Sequence, residues 1–347
     1  MHIRRGGENL KVFMIGGTGL LGSAGAKELI EKGHKVTSLS LPEIPEGADI
    51  PKEMKLVTGD YMKLSDEEIH KFLKGMDGFI FAAGIDDRVS GPPPVYDLYK
   101  KYNNDPLERF LKIAKEEKVK HCVVLGSYFS YFDRIWPKMK LAENNPYIRS
   151  RVDQETIALM YADQDMSVAI LELPYIFGVQ KGRKPVWTIL VENILSMKDK
   201  TMYPKGGTTM VTVRQVGQCI AGALEKTEGG KCYPVGYYNM TWVELLRLFH
   251  KGMGCPEKEI VTIPTFLFAM AGRKTHKENL KNNIESGLNM GKFAKAFASN
   301  MFIDKKEIEP LGVTEDDIEQ AVIDSVKLSM ESINGKKLVE MKVSEDK

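Results

Sequence analysis

A chain of 347 residues, 43% hydrophobic and 28% charged, is long enough to bury a large core in one big domain or two unequal ones. Its 49 basic and 47 acidic residues leave a net charge of +2, which argues against a dedicated nucleic-acid binder, a class with a stronger basic bias. No apolar run is long enough to span a bilayer, and none follows Arg4 and Arg5 as a signal peptide requires, so a cytoplasmic protein without a membrane partner is expected.

The first half alternates short β-rich runs with helical patterns. Residues 10–15 are a buried strand candidate, 20–32 a helix ending at Gly33, 34–40 a second strand and 54–58 a third. Ser65 and Glu68 have capping-box spacing and open a helix to Lys74. Residues 78–83 form a fourth strand, 97–117 a long helix, 120–125 a fifth strand, 147–163 a helix and 168–173 a sixth strand. Strands separated by helices imply right-handed crossovers and a parallel sheet, an α/β Rossmann-type doubly wound architecture. Sheets covered on both faces have continuously apolar strands, as these are.

After Gly178 the rhythm changes. Helical and irregular pieces dominate, with short strands at 210–213 and 232–235 and an amphipathic helix at 314–332. The expected division is a dinucleotide-binding domain over 1–178, to which 205–236 returns. A smaller, mainly helical substrate lobe then takes 179–204 and 237–333, and 334–347 is a loose charged tail.

The strongest local signal is Gly16, Gly17, Thr18, Gly19, Leu20, Leu21 and Gly22, between a strand and a helix. Gly16 permits the tight turn, Gly19 lets the backbone approach a pyrophosphate, and Gly22 lets the helix pack on the sheet. Phosphates then meet the free N–H groups and positive end of the helix. The second strand ends in Ser40, with neither the acid that holds ribose hydroxyls in NAD enzymes nor an Arg. Without an acid a 2′-phosphate meets no repulsion, which tilts the choice between NAD and NADP toward NADP. Glu43, just beyond, tilts it back.

With that loop placed, an ordered set of later segments resembles the extended short-chain dehydrogenase/reductase superfamily, in particular its NAD-dependent epimerase/dehydratase (nucleotide-sugar epimerase-like) family. The segments are Gly59-Asp60-Tyr61, Ala82-Ala83-Gly84, Asn103, the strand leading to Ser127, the helix carrying Tyr147 and Arg151, the run from Leu173 and Pro174 to Gly178, and Thr241-Trp242. The resemblance covers residues 10 to 265. It implies that Asp60 and Tyr61 lie at the adenine, and that Ala82, Ala83, Gly84 and Pro174 lie along the cofactor. It also implies hydride transfer, with Tyr147 exchanging the substrate proton, Ser127 polarising the substrate oxygen, and Arg151 in the place of the family's Lys. Free Tyr titrates at about 10, so a neighbouring cation must favour its phenolate. Arg keeps the charge but is bulkier and cannot shuttle a proton.

A second departure lies in the substrate lobe. Thr208 and Thr209 stand where sugar-nucleotide members carry an Arg, and Arg214-Gln215 where they carry an acid. Lys181, Arg183 and Lys184 are candidates to hold a diphosphate, with Arg273 and Lys274 as a second cluster and Trp187 as a ring to stack on. Asp86, Asp87 and Arg88, and the aromatic run Tyr128, Phe129, Tyr131 and Phe132, are candidates to wall the cleft. Cys122, Cys219, Cys232 and Cys255 and the six scattered His show no metal-ligand spacing, so no metal is expected.

The reading is an NAD(P)-dependent oxidoreductase or epimerase-dehydratase acting on a hydroxyl or carbonyl of a small molecule, with a homodimer possible through the 97–117 and 147–163 helices. The alternative is a non-catalytic NAD(P)-binding sensor or scaffold with a degenerate YxxxK site.

Overall fold

The computed structural model describes residues 9–340. The N-terminal stretch read as lacking a signal segment lies outside it except for Asn9, as does the end of the charged tail, 341–347.

Seven parallel strands form the main sheet: β1 (Lys11–Ile15), β2 (Lys35–Ser40), β3 (Lys55–Thr58), β4 (Gly78–Phe81), β5 (His121–Leu125), β6 (Ser167–Glu172) and β7 (Gly230–Pro234). Their order is β7-β6-β5-β4-β1-β2-β3, so the chain reverses direction across the sheet between β1 and β4. Ligands of doubly wound sheets bind at such a switch point, beyond the carboxyl ends of the strands. Every residue of β4 and β5 is buried, as the apolar runs predict.

Helices cover both faces. α1 (Leu20–Glu31) packs on α6 (Val213–Lys226), so close that a Cβ on Gly25 would sit 2.8 Å from Ile220. On the other face lie α2 (Asp66–Leu73), α3 (Asp105–Glu116) and α5 (Pro146–Met160). The Ser65–Glu68 capping box forms as expected. Between β5 and α5 stands α4 (Tyr128–Ile135), capped by Ser127.

The helix expected over 97–117 is interrupted. Tyr96–Tyr99 and α3 are joined by a wider π turn at Lys100–Asn104, which buries Tyr102, Asn103 and Asn104. Such insertions commonly re-aim side chains at functional sites. Here the turn brings the Asn103 side chain onto Ile85, accepting from its N–H at 2.8 Å and donating to its carbonyl at 3.1 Å.

The second lobe is built around a small sheet in which Gly207–Thr212 lies between Tyr238–Thr241 and Asn300–Met301 and also pairs with Tyr175–Phe177. The chain then returns through α6 and β7 to the main sheet. The terminal helix spans Ile318–Ile333. Among the described residues, no helix is long and apolar enough to cross a membrane.

Candidate active site

The glycine loop has the geometry its spacing predicts. Gly16 has φ +85°, and a Cβ there would meet the Ala82 carbonyl oxygen at 2.4 Å. A Cβ on Gly22 would lie 2.2 Å from the Gly16 oxygen, so only glycine lets α1 seat against the loop. Gly19 caps α1 with extended backbone and no side chain caps the first turn, which leaves Leu20 and Leu21 at an open, electropositive helix end.

The other cofactor candidates lie beyond the carboxyl ends of β2, β3, β4 and β6. Ser40 is buried, accepts from the Thr18 N–H at 3.3 Å and shares a hydrogen bond of 3.0 Å with Ser38, whose hydroxyl in turn accepts from the Gly17 N–H. The serines of β2 thus shape the phosphate loop from below. Asp60 accepts from the Met62 N–H and caps a short turn at Tyr61–Lys63. Tyr61 packs edge-on against Phe81. Ala82, Ala83 and Gly84 continue from β4 over the switch point, and Gly84 has φ +126° under the Asn103 side chain. Pro174 is buried just past β6.

Ser127, Tyr147 and Arg151 come together at the carboxyl end of β5. They are 4%, 6% and 7% exposed, so the group is shielded from bulk water. Tyr147 opens α5, where its N–H donates to the Gly287 carbonyl at 3.0 Å. Burial pushes the Tyr147 phenol up; Arg151 pulls it down, Asp87 and Asp86 push it up, and the nearby Ser127 hydroxyl pulls it down. Arg151 lies one helical turn on, its guanidinium carbon 5.1 Å from the Tyr147 ring centre. The guanidinium donates to the Ile85 carbonyl at 3.0 Å, to Gln154 at 2.9 Å and to the Leu125 carbonyl at 3.5 Å. It therefore ties the ends of β4 and β5 together, a role for which Lys lacks the fork geometry. Its buried Nε has no hydrogen-bond partner.

Asp87, which the sequence offered only as a candidate wall residue, is half-buried. Arg88 is held by Asp86, with Nε–O distances of 2.9 and 3.0 Å. Burial, followed by repulsion from Asp86, pushes the Asp87 carboxyl up to about 6. Nearby, Tyr99 and Tyr147 meet edge-on at 5.5 Å, and Tyr128 and Tyr175 lie 6.2 Å apart. Tyr128 also hydrogen-bonds Thr208 at 3.0 Å, so the threonine standing in the family's Arg position faces a tyrosine.

The candidate substrate residues do not assemble. Trp187 stacks on Phe177 at 4.3 Å and donates its indole N–H to the Ile176 carbonyl, a core position. Trp242 is likewise core, donating to the Phe297 carbonyl. Lys184 pairs with Glu340 at 2.7 Å, so the described part of the tail is held rather than loose. Arg183 turns onto the phosphate loop, and Lys181 lies beside Gly47. Arg214 is bound to Thr314, Glu315 and Asp316. Arg273 and Lys274 are exposed on a separate helix, Thr265–Lys281.

Beneath the site a buried carboxyl pair joins α5 to the sheet. Arg134 of α4 bonds Glu155 at 3.3 Å and Glu172 at 2.8 Å, and the buried Glu155 Oε1 has no hydrogen-bond partner. Burial first, and Glu172 second, push Glu155 up to about 8. Because the folded pKa lies above the unfolded value of about 4.3, the folded state holds the extra proton and stability falls as pH rises toward 8. Glu155→Gln removes this titration. In thermal melts the Tm lost between pH 6 and pH 8 should shrink by at least about 2 °C in the variant; equal losses would contradict the upward shift of Glu155.

Residues 12–236 match the model of a family described as the NAD dependent epimerase/dehydratase family. The chain is 26% identical over 264 residues to the uncharacterized protein YLL056C of Saccharomyces cerevisiae, covering 72% of this chain and 83% of that one. Among solved structures it resembles gox2253 with a TM-score of 0.71 at 19% identity, and MoeE5 in complex with UDP-glucose and NAD with a TM-score of 0.63 at 16% identity. Each likeness covers 93% of this chain and 99% of the other, and at these identities it shows the fold.

Proposed function

The chain belongs to the NAD-dependent epimerase/dehydratase family, and from that premise we propose that it is an NAD-dependent oxidoreductase or epimerase acting on a secondary alcohol or carbonyl, with a nucleotide sugar as the substrate class to test first. The observation that carries this reading is the Ser127, Tyr147 and Arg151 group, buried together beside an uncapped glycine loop. The residues present fit a dinucleotide: the glycine cradle excludes a Cβ at Gly16 and Gly22 and leaves space above Gly19, and Arg151 Nε is a buried donor without a partner.

Bound NAD supplies uptake and return of a hydride. The chain's own residues do the rest. Gly16, Gly19 and Gly22 keep the loop open to phosphates, and Ser38 and Ser40 hold its shape. The Ser127 hydroxyl donates to the substrate oxygen, and the Tyr147 hydroxyl exchanges that oxygen's proton. Arg151 holds the phenol ring's surroundings at positive potential and fixes the floor of the cleft through Ile85 and Leu125. NAD is preferred to NADP here, following MoeE5, whose structure contains NAD; the missing acid that tilted the choice toward NADP stands beside a Ser40 hydroxyl already engaged with Thr18 and Ser38. The nucleotide sugar follows MoeE5, whose structure contains UDP-glucose.

A second reading, a non-catalytic NAD-binding protein, is favoured by one observation: the Arg151 guanidinium is already committed to Ile85, Gln154 and Leu125. Incubation with NAD⁺ and a panel of UDP-sugars, followed by nicotinamide absorbance and NMR of the sugar nucleotide, separates the two. Reduction of the nicotinamide or a new epimer is expected. Saturable dinucleotide binding with neither, across UDP-sugars and simple alcohols, would favour the binding protein.

A further inference from the structure

Residues 180–184 turn back across the phosphate loop. Gly178 has φ +138° and Gly182 φ +78°, and a Cβ on Gly182 would meet both Pro45 and the Glu46 carbonyl at 2.9 Å. The buried Gln180 side chain donates to the Thr18 carbonyl at 3.2 Å and to the Ser23 hydroxyl at 3.0 Å. Arg183 donates to the same Thr18 carbonyl at 3.0 Å and through Nε to Gln180 at 2.5 Å.

The far end of the chain fastens this strap. Val339 forms a bridge with Arg183, donates its N–H to the Gly182 carbonyl at 2.8 Å and accepts from the Lys184 N–H at 3.0 Å. Glu340 adds its ion pair with Lys184.

Among the described residues, no carboxylate pairs with Arg183. Burial lowers its pKa and no acid offsets it. A guanidinium has five N–H groups, and the two bonds above leave the others for a further acceptor. A partly desolvated cation without a counter-ion, set against a helix end with the same electrostatic demand, calls for an anion. We propose that Arg183 is a ligand for the pyrophosphate of the bound dinucleotide, presented by a strap of residues 180–184 that Val339 and Glu340 hold closed. This rests on the dinucleotide reading above and moves Arg183 from the substrate to the cofactor.

The test compares ADP-ribose with adenosine, which lacks the phosphates, by calorimetry on the full chain and Arg183→Gln. ADP-ribose should bind the variant roughly 10-fold or more weaker, as loss of a charge-assisted bond implies, with adenosine unchanged. NADH should dissociate several-fold faster from a chain ending at Lys337 and from the full-length Glu340→Lys variant. Equal effects on ADP-ribose and adenosine, or none, would overturn the ligand assignment. Unchanged NADH dissociation in both tail variants would overturn the fastening. A wild-type chain that binds neither NADH nor ADP-ribose would instead sink the dinucleotide reading itself.

Discussion

Replacing Tyr147 with Phe is expected to lower turnover by roughly 10²–10⁴-fold, the usual contribution of a positioned proton-transfer group, and to leave NADH binding within about twofold because the loop glycines are untouched. The substitution is close to isosteric. The ring keeps its contacts with Tyr99 at 5.5 Å and Phe129 at 6.2 Å, so the wall of the cleft stays in place. What is lost is the hydroxyl that lies near Ser127 and, in the proposed mechanism, exchanges the substrate proton. The effect should fall on kcat, since the missing interaction belongs to the transition state. Turnover equal to wild type would remove Tyr147 from the mechanism, whatever the fold.

The other large effect concerns a glycine. A Cβ on Gly19 meets only the Gly16 oxygen, at 3.2 Å, and its φ of −70° suits any residue, so Gly19→Ala folds with at most the modest penalty of a poorer N-cap, about 1 kcal/mol. The added methyl occupies the space that a pyrophosphate needs above the helix end, and NADH affinity should fall by roughly 10-fold or more. Gly22→Ala behaves differently. Its Cβ would press on the Gly16 carbonyl and the Gly17 Cα within 2.9 Å, all backbone, so both stability and binding should drop. Thermal melts with NADH titrations distinguish the two. Gly19→Ala that binds NADH like wild type would place the phosphates elsewhere.

The parts of this molecule that follow local rules were legible in the sequence. The glycine loop is one, because three glycines at that spacing answer to contacts within a few residues and with the neighbouring Ala82 carbonyl. The spacing of Tyr147 and Arg151 is another, since residues four apart share a helix face. That the strands run parallel followed from alternation alone. Positions set by distant chain were not legible. Arg183 sits after the sixth strand, where family resemblance suggests substrate. A positive φ at Gly182 and a pairing with Val339, 156 positions away by subtraction, turn it onto Thr18. The π turn at Lys100–Asn104 lies inside a helix-compatible sequence, and the partner it serves, Ile85, is 18 positions from Asn103. Trp187 could have stacked on a ligand, but Phe177 occupies its face.

Titration of the wild-type protein with NADH, read by nicotinamide fluorescence and repeated with NADPH, tests the central claim most directly. Saturable binding of NADH, tighter than NADPH and lost in Gly19→Ala, is the predicted result. Failure of either dinucleotide to bind would contradict the account at its root, because the glycine loop, the serines beneath it and the strap above it would then serve some other ligand.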